Sequence, residues 1–177
     1  MKTTKLHQLT YIASGVTLLV ILSQMTISLG PVPFTLQTFA VGLIATIYPW
    51  RLACSSVGLY LLLGGIGIPV FSGFSGGIAS LTLHPTAGFL WGFLTYAFAT
   101  SLMTYRDSSV IRVLSANILG DITCFLLGIF FFRFSLDTSW SKTLALTTLP
   151  FLLPELGKIS LVCLSHRYLQ PILKKNR

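Results

Sequence analysis

Acidic residues are nearly missing from this sequence: Asp107, Asp121, Asp137 and Glu155 are the whole set in 177 residues. Charged residues of both signs make up 9%, against about 25% in soluble domains. So little charge cannot cover a water-facing surface, which excludes an ordinary soluble globule. The acids are also too few and scattered to build a cation site, so no metal is expected. Cysteine is sparse, with Cys54, Cys124 and Cys163 each inside an apolar run and no CxxC spacing. That pattern gives neither a disulfide framework nor a metal site, and small buried hydrophobes are expected there. The GxxxxGK[ST] phosphate loop is absent, and with it ATP hydrolysis by that route. HExxH and GxSxG are absent too. No enzyme activity and no cofactor are expected. Without internal repeats, low-complexity tracts or a linker, residues 1–177 are expected to form a single transmembrane domain.

What the chain has in quantity is apolar surface: 53% hydrophobic residues and a mean hydropathy of +0.81. Membrane lipid is therefore the expected surrounding. Crossing a hydrocarbon core of about 30 Å takes roughly 20 apolar residues in a helix. Six spans are predicted, at about 9–29, 35–50, 52–69, 86–104, 113–133 and 145–166. The first is longer than a signal-peptide core and is read as a retained helix. The second and third are short, and Pro49 and Arg51 mark the turn of a helical hairpin. The predicted fold class is an all-α polytopic bundle.

The net charge of +8 does not indicate nucleic acid, because the basic residues punctuate apolar runs instead of forming a basic face. Placing the N-terminus in the cytoplasm puts Lys2, Lys5, Arg51, Arg106, Arg112, Arg167, Lys174, Lys175 and Arg177 on that side. Arg133 and Lys142 fall outside. That bias predicts a cytoplasmic (inner) membrane protein with both termini cytoplasmic.

Two predicted external loops, 30–35 and 69–86, carry no Asp, Glu, Lys or Arg. Solvated loops normally carry charge, so these are read either as folding back over the bundle to line a cavity or as lying on the headgroups. Glu155 and Lys158 sit an i, i+3 step apart near the external end of the sixth span, on one helix face. Ionisable groups at this depth mark a functional site or a self-neutralising pair, and both readings stand. Pro154 suits the first helical turn, whose free N–H groups favour an anion nearby. A small polar or carboxylated molecule fits there. Asp121, with Asn117 four residues earlier on the same face, is read either as part of a proton or ion path or as a helix-packing contact. His84 in the long loop is within reach of a ligand or simply exposed, and His166 belongs to the opposite membrane face.

The run Leu29-Gly30-Pro31-Val32-Pro33-Phe34-Thr35-Leu36-Gln37-Thr38-Phe39-Ala40-Val41 resembles the signature of the BioY family, the biotin-binding S components of energy-coupling factor (ECF) transporters. Tyr60-Leu-Leu-Leu-Gly-Gly-Ile-Gly-Ile-Pro-Val-Phe71, Ser75-Gly76-Gly77 and Pro85–Phe93 are similar to later family segments in the same order. Leu153-Pro154-Glu155, with Lys158 in register, stands where the family carries Pro-Gly-Asp-x-x-Lys, and Glu lengthens the acceptor arm by one methylene. The resemblance implies a six-transmembrane-helix bundle of the S-component type, with biotin held near the external face by helix six and the first and third external loops. It implies Glu155 as acceptor for ureido N–H groups and Lys158 as donor to the ureido oxygen or the carboxylate. Thr35, Gln37, Ser75, Gly76, Gly77 and Thr86 would supply loop and helix contacts, and Phe34, Phe71 and Phe74 the apolar walls. It also implies partners: a transmembrane coupling subunit and ATPase subunits, docked on small residues of helix one (Ala13, Ser14, Gly15, Thr17). The alternatives are the same fold with another small vitamin, or an ion-coupled carrier or channel using Asn117, Asp121 and Glu155.

Overall fold

The computed structural model describes residues 5–28, 30–104 and 109–175, with side chains as far as residue 169. Leu29, the expected end of the first span, and Lys2, Arg106 and Arg177 of the charge bias lie outside the described residues, as do the side chains of Lys174 and Lys175.

Helix α1 (Lys5–Gln24) stops short of residue 29 because Thr26–Ile27 (β1) leaves it to pair antiparallel with Phe34–Thr35 (β2), Thr26 opposite Thr35. The Thr26 hydroxyl donates to the Ser23 carbonyl at 2.6 Å, satisfying one of the helix-end acceptors. Helix α2 (Gln37–Ile47) has eleven residues, about 16 Å at 1.5 Å per residue, shorter than the expected 35–50. It ends at Tyr48, whose extended backbone is what a residue before proline prefers. Pro49 then opens α3 (Trp50–Gly65), so the expected hairpin is present. This helix ends before residue 69, at Gly64 and Gly65, and Gly67 follows with φ 103°, a backbone setting suited to glycine.

The long outer loop folds as a 3-10 turn at Ser72–Phe74 and a short helix α4 (Ile78–Thr82). Helices α5 (Ala87–Thr104) and α6 (Val110–Leu136) form the tightest pair in the bundle. Gly88 and Gly92 of α5 lie against the backbone of α6; a Cβ on Gly92 would come within 2.8 Å of the Cys124 Cα. Small residues four apart permit that approach, the packing device of membrane helices. The expected sixth span is two helices, α7 (Trp140–Thr147) and α8 (Leu152–Lys175), bent by 44°. Pro150 sits in the break, and Pro154 in the first turn of α8, where its missing N–H costs nothing. Glu155 consequently lies in that first turn, nearer the helix start than expected.

By length and composition α1 and α6 can each cross a membrane, as can α7 and α8 taken as one bent span. The shorter α2 is largely shielded within the bundle, with Val41, Ile44 and Ala45 almost wholly buried, while α3 buries Val57 and Tyr60 and leaves Leu59 and Leu62 exposed. α4, α7, the β-ribbon and the outer loop gather at one end, where they surround a cavity.

Candidate ligand-binding site

The cavity has a volume of about 370 Å³, within the usual range for a small-molecule site. Helix α8 brings Glu155 and Lys158 to it on consecutive turns of one face. Their contact is close, Nζ to Oε1 at 2.6 Å, with both side chains more than nine-tenths buried. Lys158 also donates to the Thr38 hydroxyl of α2 at 3.0 Å and stands 4.5 Å from the ring centre of Phe34. The ammonium therefore has a carboxylate, a hydroxyl and an aromatic face around it, which offsets the cost of burying it. Phe34 itself stacks on Phe151, the residue whose carbonyl accepts the Glu155 N–H.

The neighbouring wall is an ordered polar chain. Gln37 Nε2 donates to the Tyr60 hydroxyl at 2.6 Å, and Tyr60 donates to the Val70 carbonyl at 3.1 Å. Thr35 Oγ1 donates to Gln37 Oε1 at 3.1 Å, which fixes the amide's orientation. Phe89, Phe93, Phe125 and Phe151 supply the cavity's aromatic wall. At the mouth stand Ser72, Ser75, Ser80, His84 and Thr86, with His84 Nδ1 2.7 Å from the Thr86 hydroxyl. His84 is exposed and also lines the cavity.

Of the residues singled out from the sequence, Thr35, Gln37, Phe71, Ser75, Thr86, Glu155 and Lys158 converge on this space. Phe34 does not line it and reaches it through Lys158 and Phe151. Three others are not brought there. Phe74 has a left-handed backbone (φ 56°) and a ring 71% exposed, so it walls nothing. Gly76 faces the Ile68 carbonyl, 2.5 Å from where a Cβ would stand, and lets the loop close on itself. Gly77 (φ 98°) precedes α4. Thr38 and the aromatic wall were missed. Thr38 lay inside the recognised run, one residue after Gln37; Phe125 and Phe151 read, in sequence, like any lipid-facing aromatic.

The small residues of α1 divide. Ala13, Ser14 and Thr17 are exposed, whereas Gly15 is turned inward onto Ser56 of α3. Ser14 already bonds the Tyr48 hydroxyl at 2.9 Å. Asn117 is saturated: its amide donates to Thr46 (3.0 Å) and to the Val113 carbonyl (2.8 Å), and its oxygen accepts from Tyr96 (3.1 Å). It is a strut among α2, α5 and α6. Asp121 does not line the cavity, and its Oδ1 is shielded without a hydrogen-bond partner among the described residues. No interhelical hydrogen bond is seen from that oxygen.

These features define an all-α polytopic membrane protein with a small-molecule cavity at one end of its bundle. Its backbone is similar to the crystal structure of the S component for biotin from an ECF-type ABC transporter. The TM-score is 0.87 at 26% identity, covering 97% of this chain and 94% of that one. The chain is 41% identical over 92% of its length to biotin transporter BioY2 of Lactococcus lactis, 89% of which is covered. It is 35% identical over 83% of its length to biotin transporter BioY of Thermotoga maritima, 86% of which is covered. The BioY family model matches residues 1–175. The chain belongs to the BioY family.

Proposed function

We infer that this chain captures biotin for uptake across the cytoplasmic membrane, as the S component of an ECF-type transporter. The observation that carries the reading is the buried Glu155–Lys158 pair facing a cavity lined by aromatic and polar side chains. The L. lactis and T. maritima proteins named above as biotin transporters support it.

Biotin has a ureido group with two N–H donors and one carbonyl, an apolar bicycle and a valerate carboxylate. Glu155 is the acceptor for ureido N–H groups, and Lys158 and Thr38 are donors for the ureido oxygen. Placing the valerate carboxylate beside Glu155 would set two carboxylates against the one Lys158 ammonium. The carboxylate therefore lies toward the mouth, near His84, Thr86 and Ser80. Phe71 and the aromatic wall flank the bicycle, and Thr35, Gln37 and Ser75 complete the polar contacts.

The cavity end faces outward and both termini face the cytoplasm: Lys5, Arg51, Arg112 and Arg167 lie toward the opposite end, with Arg133 and Lys142 at the cavity end. The chain works as a single domain with a coupling subunit and ATPases, for which Ala13, Ser14 and Thr17 on the outer face of α1 offer a surface. It performs no catalysis itself.

The test is uptake of labelled biotin by cells lacking their own biotin transporter. Cells expressing this chain with a coupling subunit and ATPases should accumulate biotin, and ATP depletion should abolish accumulation. Accumulation that ignores ATP but collapses with the membrane potential would point to an ion-coupled carrier.

A further inference from the structure

The outer loop between α3 and α5 forms one side of the cavity through Phe71, Ser72, Gly73 and Ser75. Its backbone turns through two consecutive left-handed residues, Gly73 (φ 68°) and Phe74 (φ 56°). Glycine adopts this region freely, whereas for phenylalanine it is disfavoured. The Phe74 ring stands in the open, so its own packing does not hold the turn.

Gln24, the last residue of α1, does hold it. Its Oε1 accepts the Phe74 N–H at 3.0 Å, and its Nε2 donates to the Phe71 carbonyl at 3.1 Å and to Ser23 Oγ at 2.8 Å. Ser23 Oγ in turn donates to the Val70 carbonyl at 2.7 Å. Both amide hydrogens and the amide oxygen of one side chain are thus directed at the loop and its neighbour. They grip the backbone at Phe71 and Phe74, on either side of the Ser72–Gly73 turn within the stretch that walls the cavity. Gln24 does not line the cavity itself.

We propose that Gln24 is a positioning residue for ligand capture: by clamping the backbone at Phe71 and Phe74 it keeps the outer loop over the occupied site and sets the residence time of the ligand. The choice of biotin as that ligand rests on the reading above. A side chain that holds a cover acts mainly on dissociation, where most affinity differences among variants of one site arise.

The test uses the full-length chain in detergent or nanodiscs, with Gln24→Met, which keeps length and helix propensity and removes the polar grip. Hydrogen–deuterium exchange without ligand should rise across residues 69–76 and leave α5 and α6 unchanged. Labelled biotin should dissociate about tenfold faster or more, with association altered only about threefold or less. Unchanged exchange overturns the proposal, and so does faster exchange with unchanged release. If Gln24→Met does not fold, Gln24→Glu carries the same test. It retains an oxygen for the Phe74 N–H but sets an acceptor against the Phe71 carbonyl, so release should again accelerate. Failure of the unsubstituted chain to bind biotin would strike the ligand assignment alone. The exchange experiment, made without ligand, still decides whether Gln24 holds the loop.

Discussion

Lys158 is surrounded on three sides, by Glu155, Thr38 and the Phe34 ring. A ligand oxygen entering the site joins an ammonium already desolvated and oriented. Lys158→Ala should therefore weaken biotin binding by about 1.5–3 kcal/mol, the scale of a hydrogen bond to a charged group. The same change leaves Glu155 buried and unpaired, at a stability cost of about 3–5 kcal/mol. The two effects separate in the double variant Glu155→Gln/Lys158→Met, which removes both charges. Thermal unfolding of the double variant should return toward the parent value while biotin affinity stays lost. Recovery of both would mean that the pair is structural only. The i, i+3 spacing of the pair was legible in the sequence because a helix repeats locally. Its third partner was not: Thr38 lies 120 positions away, and nothing local encodes that meeting. The exposed position of Phe74 is hidden from the sequence for a related reason. An aromatic in an uncharged loop looks like a cavity wall until its left-handed φ is known.

At the scale of elements, the apolar runs mark where the main helices lie, with α7 and α8 read as one, while the ends depend on contacts between segments. The strand pairing of Thr26–Ile27 shortened α1, and Pro150 marks the break that divided the expected last span. The α5–α6 contact shows the same division. Gly88 and Gly92 are visible in the sequence, but only the packed pair shows that α6 leaves no room for a side chain. Gly92→Ile should lower stability by about 1–3 kcal/mol, the ordinary penalty for overpacking, read as a drop in melting temperature. Gly58→Ala is the control: nothing lies within 4 Å of its Cβ position, and the change should leave stability equal or slightly raised. Equal effects at the two positions would contradict the assigned helix interface.

For the whole molecule, the compositional shortage of charge indicated membrane embedding, and the two uncharged loops indicated which end would close. Both loops do line the cavity, through Gly30, Pro31, Val32 and Pro33 on one side and the stretch around Phe71 on the other. The proposed orientation in the membrane predicts a labelling pattern. A cysteine at Ser141 on α7 should react with an impermeant thiol reagent in intact cells, and one at Ser109 only after permeabilisation, each judged against the parent chain. The reverse pattern would invert the topology and turn the cavity toward the cytoplasm.

The claim on which the rest depends is that this chain alone holds biotin in the Glu155–Lys158 cavity. Calorimetric titration of the purified chain with biotin, and then with biotin amide, tests it most directly. Saturable binding with a stoichiometry near one is expected. With the carboxylate end at the solvated mouth, as proposed, the amide should lose about tenfold or less. No heat with biotin, in protein shown to be folded, would contradict the account.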